Sequence, residues 1–214
     1  RAARDLYHWN IPMLGVNLGT LGYLCEVERS NIRAAIDEIM QEHYMIERRM
    51  MLEGYCVIDG KEQKSRAAFN DIIIHRGTNP SVKTLIIRVN GEYLNTYVGD
   101  GIIVATPSGS TAYNMSAGGP IVEPSAKNFL ITPICAHAML AKSIVVAPSR
   151  VVTVKVGKIG RHNAFLSVDG GRAFRLNTGD EITVKSSQKV TRLVRLKNTS
   201  FFEILNRKFI EKMR

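Results

Sequence analysis

The scarce features of this sequence exclude several classes of protein. Three cysteines, Cys25, Cys56 and Cys135, are too few and too far apart for a C-x-x-C redox or zinc pair, or for a disulfide framework. They read as reduced thiols of a cytoplasmic protein. No apolar run approaches the roughly 18 residues that a membrane span needs, so no membrane partner is expected. The chain opens Arg1-Ala2-Ala3-Arg4, with neither a methionine nor an apolar signal core, so no targeting segment is read there and the chain reads as one begun in the middle. There is no internal repeat and no low-complexity segment.

Acidic residues are scarce in one region only. Residues 1–149 hold 14 basic and 14 acidic side chains, whereas residues 150–214 hold 15 and 5, so the net charge of +10 resides in the last third. A basic face attracts nucleic acid, acidic lipid or a polyanionic small molecule. These basic residues alternate with apolar ones in strand-like stretches, without the aromatic platform on which single-stranded nucleic acid stacks. A phosphate-rich cofactor is the expected partner, and nucleic acid is not.

The 214 residues are 45% hydrophobic and 22% charged, ordinary globular composition for one domain or two small ones. Around Met13–Val16 a short buried strand is expected, followed by a turn rich in glycine (Gly15, Gly19, Gly22). Ser30 is placed to cap a helix whose apolar positions are Ile32, Ala35, Ile36, Ile39 and Met40. Alternation then begins at Tyr44 and predicts a long strand to about Glu53. From there to about Leu196 the signals are nearly all β. Asp59-Gly60, Asn90-Gly91 and Asp169-Gly170 are hairpin dipeptides. The strand-like runs are 72–75, 85–89, 93–98, 102–105, 144–146, 151–156, 165–168, 181–184 and 190–196. Many short strands with tight turns predict a sandwich. Helix-compatible residues interrupt them at Gly109–Ala117, and a closing amphipathic helix is expected after Ser200, with Phe202, Leu205, Phe209 and Ile210 at helical spacing.

Two stretches stand out chemically. Residues 99–120, GDGIIVATPSGSTAYNMSAGGP, run from an acidic turn through a buried strand into Ser108, Gly109, Ser110, Thr111 and Ser116. Small residues let backbone N–H groups approach a ligand closely, and hydroxyls both donate and accept. A helix starting near Ser110 or Thr111 would aim its free N–H groups at an anion or a base edge. The second stretch is Asn70-Asp71, ahead of Ile72-Ile73-Ile74. Taken alone it is a turn or a strand start, yet an amide beside a carboxylate also suits the vicinal hydroxyls of a ribose. His75 and His137, within apolar strings, read as satisfied core histidines.

Residues 15–24 are similar to the glycine-spaced segment of NAD kinases, Asn70-Asp71 resembles their Asn-Glu/Asp motif, and residues 99–120 resemble their GDG…TPxGSTAYxxSAGGP segment almost letter for letter. Val168-Asp169-Gly170 also has a counterpart in that family. The order agrees, and the resemblance covers essentially the whole chain. It implies an α+β fold. Residues 1–48 and the tail 199–214 would belong to an N-terminal α/β nucleotide-binding domain, residues 49–198 to an all-β sandwich, and the C-terminal helix would return to the first domain.

The implied activity is phosphoryl transfer from ATP or polyphosphate to the 2′-hydroxyl of NAD, giving NADP, with Mg²⁺ or another divalent cation. By the same resemblance Asn70 and Asp71 grip a ribose, and Thr111, Ala112, Tyr113 and Ser116 hold an adenine and its ribose. Asp100 meets the nicotinamide end from a neighbouring subunit of a homodimer or homotetramer. The family's Gly-Gly-Asp-Gly-Thr motif, whose Asp is the implied base or metal-organising carboxylate, is absent from these 214 residues and is expected upstream of Arg1. No catalytic residue is therefore assigned within the chain.

The alternatives are a non-catalytic NAD or NADP module, a lipid kinase sharing that glycine motif, and a serine hydrolase. The missing G-x-S-x-G argues against the hydrolase.

Overall fold

The computed structural model describes residues 2–18, 24–58, 60–63, 65–78, 81–136, 141–158, 164–197 and 199–212, without the side chains of 208, 209, 211 and 212. Gly19, Gly22, Asp59, His137 and the Phe209 side chain lie outside that set. In chain order the elements are α1 (Ala2–Leu6), β1 (Val16–Asn17), β2 (Val27–Glu28), α2 (Ile32–Met40), β3 (Met45–Ile58), β4 (Lys61–Glu62), β5 (Arg66–Ala68), β6 (Asp71–His75), β7 (Lys83–Val89), β8 (Glu92–Gly99) and β9 (Gly101–Ala105). There follow α3 (Tyr113–Ser116), β10 (Phe129–Ile134), β11 (Ile144–Val146), β12 (Val151–Val156), β13 (Ala164–Val168), β14 (Phe174–Leu176), β15 (Glu181–Arg195) and α4 (Phe201–Lys212). Two compact units emerge: Arg1–Asp5 with Met50–Lys189, and Leu6–Arg49 with Val190–Arg214.

The first unit is a β-sandwich. One sheet has the order β11-β10-β9-β6-β13-β14, and the other β4-β3-β15-β12-β7-β8 with β5 beside β3. Between them lies a core built by period-two alternation: Ile72, Ile74, Ile102, Val104 and Leu166 of the six-stranded sheet meet Leu85, Ile87, Val152, Val154 and Ile182 of the other. The six-stranded sheet is also covered on its outer face. There Ile73, Ile103, Ala105, Leu130 and Ile134 form a second cluster, against which Ala117 and Val122 pack. Burial on both faces explains why Ile72–Ile74 of β6 and Ile102–Ala105 of β9 read as unbroken apolar runs and not as alternating ones.

The Asn90-Gly91 hairpin forms as expected, with φ +50 and +82 at the two turn residues and Val89 opposite Glu92. Other expectations are corrected. The runs at 181–184 and 190–196 are one strand, because the polar residues between them continue in extended backbone. β10 was not anticipated. Its Pro133 forbids a ladder bond on one side, and β11 indeed pairs only with Phe129–Ile131, so among the described residues the proline faces no strand partner there.

In the second unit Val16–Asn17 pairs in parallel with Val27–Glu28, and Met13 bridges Leu193, so the expected strand around Met13–Val16 is shorter and only half-buried. Ser30 does not cap α2; it sits in a 3-10 turn, and Asn31 occupies the cap position without a side-chain bond. Ile32, Ala35 and Ile39 face inward, while Ile36 and Met40 are exposed. α4 belongs to the same unit as Leu6–Arg49, as the fold class requires. Ser200 Oγ accepts the Glu203 N–H at 3.1 Å to begin it. Its half-buried stripe is Phe201, Ile204 and Leu205, whereas Phe202 and Ile210 are exposed.

Candidate functional site

The outer face of the six-stranded sheet carries the unusual residues. Alternation along β6 sends Ile72 and Ile74 into the inter-sheet core and therefore Asp71, Ile73 and His75 to the outer side. The chain from Thr106 onward folds over this face.

Three hydrogen bonds fix the start of β6. Both oxygens of the Asp169 carboxylate are used: Oδ2 accepts from the Phe69 N–H at 2.8 Å, and Oδ1 from Asn70 and Asp71 at 2.7 and 3.1 Å. Asp169 itself has φ +48, and its N–H returns to the Asp71 carbonyl at 3.0 Å. Asp169-Gly170, read as a hairpin dipeptide, is thus also a clamp on the Asn-Asp pair.

Thr106 ties the same segment to the Gly/Ser loop. Its hydroxyl donates to the Phe69 carbonyl at 2.6 Å and accepts from the Gly109 N–H at 3.0 Å, while its N–H donates to the Asn70 carbonyl at 2.8 Å. Gly109 lies directly on the Asn70 backbone, where a Cβ would collide with the Asn70 carbonyl. The loop and the Asn-Asp pair, 35 or more residues apart in sequence, therefore form one unit.

Part of what resembled ligand-binding polarity is structural. The fully buried Ser110 hydroxyl accepts the Val122 N–H at 3.0 Å and lies 2.7 Å from the Pro107 carbonyl. Buried Asn114 donates to the carbonyls of Ser110 and Pro120 at 3.2 and 3.0 Å and accepts from Thr132 at 2.6 Å. No helix begins at Ser110 or Thr111. Residues Ser108–Thr111 form a 3-10 turn, the Ala112 N–H is spent on the Gly109 carbonyl, and α3 starts at Tyr113 with four residues. Thr111 Oγ1 donates to the Ser108 carbonyl at 3.3 Å, Tyr113 is 45% exposed, and Ser116 is exposed at the end of α3.

A cavity of about 280 Å³ opens on this face, lined by Ile73, His75, Arg76, Gly77, Asp100, Tyr113, Ile134 and Ser167. It joins Asp100 and Tyr113, expected from the sequence, with His75, Arg76 and Ser167, which were not. His75 is no core histidine. It is half-buried on the cavity wall, its Nδ1 accepts the Gly77 N–H at 3.0 Å, and burial holds its pKa below the usual range. Alternation from Ile73 to His75 was the signal that could have placed it. Ser167 sits opposite Ile73 in the ladder, a register that no local pattern reveals.

Asp71 is 3% exposed, and among the described residues its carboxylate accepts no hydrogen bond. Burial, reinforced by the negative charge of Asp169, raises its pKa to about 7. The described residues do not fit a protein-held divalent cation. They include no cluster of three or more His, Cys, Asp or Glu, and Asp169 has both oxygens committed to backbone.

Comparison with known proteins gives this geometry a context. The model of the ATP-NAD kinase C-terminal domain matches residues 69–196. The NAD kinase of Natranaerobius thermophilus is 42% identical over 208 residues, 97% of this chain and 72% of that protein. That of Agathobacter rectalis is 44% identical over 211 residues, with 97% and 74% covered. Among solved structures, yeast NADH kinase complexed with NADH superposes at TM-score 0.85 with 32% identity, covering 91% of this chain and 57% of that one. An Archaeoglobus fulgidus NAD kinase in complex with ATP gives 0.76 and 29%, covering 92% and 73%. The fold is thus that of solved NAD(H) kinases, a class of phosphotransferases. The chain belongs to the NAD kinase family.

Proposed function

We propose that this protein transfers the terminal phosphoryl group of ATP to the 2′-hydroxyl of the adenosine ribose of NAD, and that NAD docks on the outer face of the six-stranded sheet. The observation that carries the reading is the triple clamp of Asp169 on residues 69–71, which holds Asn70 and the Asp71 carboxylate, without a hydrogen-bond donor among the described residues, beside the Gly109 loop. A ribose offers the two hydroxyl donors such a carboxylate lacks, and each charge-assisted bond favours its ionised form. Asn70 shares the ribose, Thr111, Ala112, Tyr113 and Ser116 flank the adenine, and Asp100 meets the nicotinamide end.

In the transfer the 2′-oxygen bonds to the γ-phosphorus, the bond to the β-phosphate oxygen breaks, and ADP leaves. The hydroxyl proton goes to a base that these 214 residues do not assign; the family resemblance implies the aspartate of the Gly-Gly-Asp-Gly-Thr motif. Such chemistry asks for alignment and charge neutralisation, which a divalent cation supplies when it arrives on the donor's phosphates. ATP as donor is supported by the ATP complex of the Archaeoglobus relative.

A coupled assay of the intact protein with NAD or NADH against ATP or polyphosphate tests the reading. The expected outcome is NADP formed from NAD and ATP. Saturable NAD binding with no phosphorylated product from any pair would instead establish a binding module.

A further inference from the structure

The Gly99-Asp100-Gly101 segment is more constrained than a free turn. Neither glycine has a positive φ. A Cβ on Gly99 would press on the Ile134 and Cys135 carbonyls, and one on Gly101 would collide with the Ile74 carbonyl. The two glycines therefore let β8 and β9 approach the neighbouring backbone closely, with Asp100 held between them. Its N–H donates to the Ile134 carbonyl at 2.9 Å, and its own carbonyl accepts the Arg76 N–H at 2.9 Å.

One main-chain bond thus already joins Arg76 to Asp100. A second contact is made by their side chains: Arg76 Nε lies 2.6 Å from Asp100 Oδ1, with both side chains 30% exposed on the cavity wall. An ion pair so open to water adds little to stability. It does fix the carboxylate's rotamer. It also occupies Oδ1 and leaves Oδ2, which among the described residues accepts no hydrogen bond.

We propose that Arg76 is a positioning residue, which holds Asp100 so that Oδ2 faces a hydrogen-bond donor of the dinucleotide. The proposal rests on the reading of Asp100 as a substrate contact. Arg76 touches no reacting atom and acts through Asp100, so its effect should fall on NAD affinity and disappear when Asp100 can no longer accept in its ionised form.

The test is a double-mutant cycle in the intact protein, with NAD varied at saturating ATP. Arg76→Met should raise KM for NAD about tenfold with kcat within about twofold and an unchanged Tm. Arg76→Lys should recover part of the loss, since it restores the charge without the planar fork. In an Asp100→Asn background, Arg76→Met should change nothing further. An Arg76→Met penalty of equal size with and without Asp100, or a lowered Tm with unchanged KM, overturns the positioning role. If Asp100→Asn is impaired while Arg76→Met behaves as wild type, the positioning role alone fails. A wild-type KM for Asp100→Asn removes the substrate contact itself.

Discussion

Asp71 shows how a site residue can work against the fold that holds it. Its carboxyl, 3% exposed and facing the Asp169 charge, prefers to remain protonated up to about pH 7, whereas in the unfolded chain it ionises near 3.8. Between those values the folded state binds the extra proton, so stability contributed by this residue falls as pH rises from about 4 to 7 and is lost above that range. The difference corresponds to roughly 2–4 kcal/mol at pH 8, at about 1.4 kcal/mol per pKa unit and with allowance for relaxation. Asp71→Asn removes that cost. The free variant should show a higher Tm than wild type at pH 8 and a smaller difference at pH 5, as thermal unfolding across that range would reveal. The same substitution should lower kcat/KM for NAD at least about tenfold, because charge-assisted bonds worth roughly 1.5–3 kcal/mol each are lost. A variant that fails to fold would return Asn70-Asp71 to the role of a structural turn.

Among the elements, the loop that closes over the sheet is the most tightly specified. Thr106, Gly109, Ser110 and Asn114 each spend polar groups on backbone, and Ala117 and Val122 seal the outer apolar cluster. Gly109 is the position with least room. A methyl group there meets the Asn70 carbonyl, which is fixed in turn by the Asp169 clamp and the Thr106 N–H. Neither backbone is free to yield, so Gly109→Ala should lift the loop away from residues 69–71. The expected cost is about 2–3 kcal/mol in denaturant unfolding, typical of forced overpacking, together with weakened NAD binding in titration calorimetry. Gly118 offers the contrast. Nothing lies within 4 Å of a Cβ there, but φ is +80, so Gly118→Ala strains only the backbone and should leave NAD affinity nearly intact.

For the whole molecule, function turns on which copy of the chain each Asp100 serves. Asp100 lines a cavity with Tyr113 of its own chain, while the family resemblance implies a neighbouring subunit's pocket. We expect self-association with shared sites. Asp100→Ala and Asp71→Ala proteins, each inactive alone, should regain activity when co-assembled, since one pocket of each mixed pair then holds both carboxylates. Verified hetero-oligomers without recovery would assign both residues to a single protomer.

Local sequence determined the tight turns and the strand-rich class, because Asn90-Gly91 and the alternating runs act through backbone sterics and short-range periodicity. The long motif from Gly99 to Pro120 likewise carried the resemblance to the family whose C-terminal domain matches residues 69–196. Tertiary structure alone decided what those residues do. That Ser110 and Asn114 are braces, that Asp169 clamps residues 69–71, and that His75, Arg76 and Ser167 share a cavity with Asp100 all depend on strand order and register. The merging of 181–184 with 190–196 into β15, and the acceptance of Pro133 within β10, were settled by neighbouring strands as well. Hydrogen-bond partners 98 to 100 residues apart, as in the Asp169 clamp, leave no trace in local spacing; they exist only once two sheets have closed on their core.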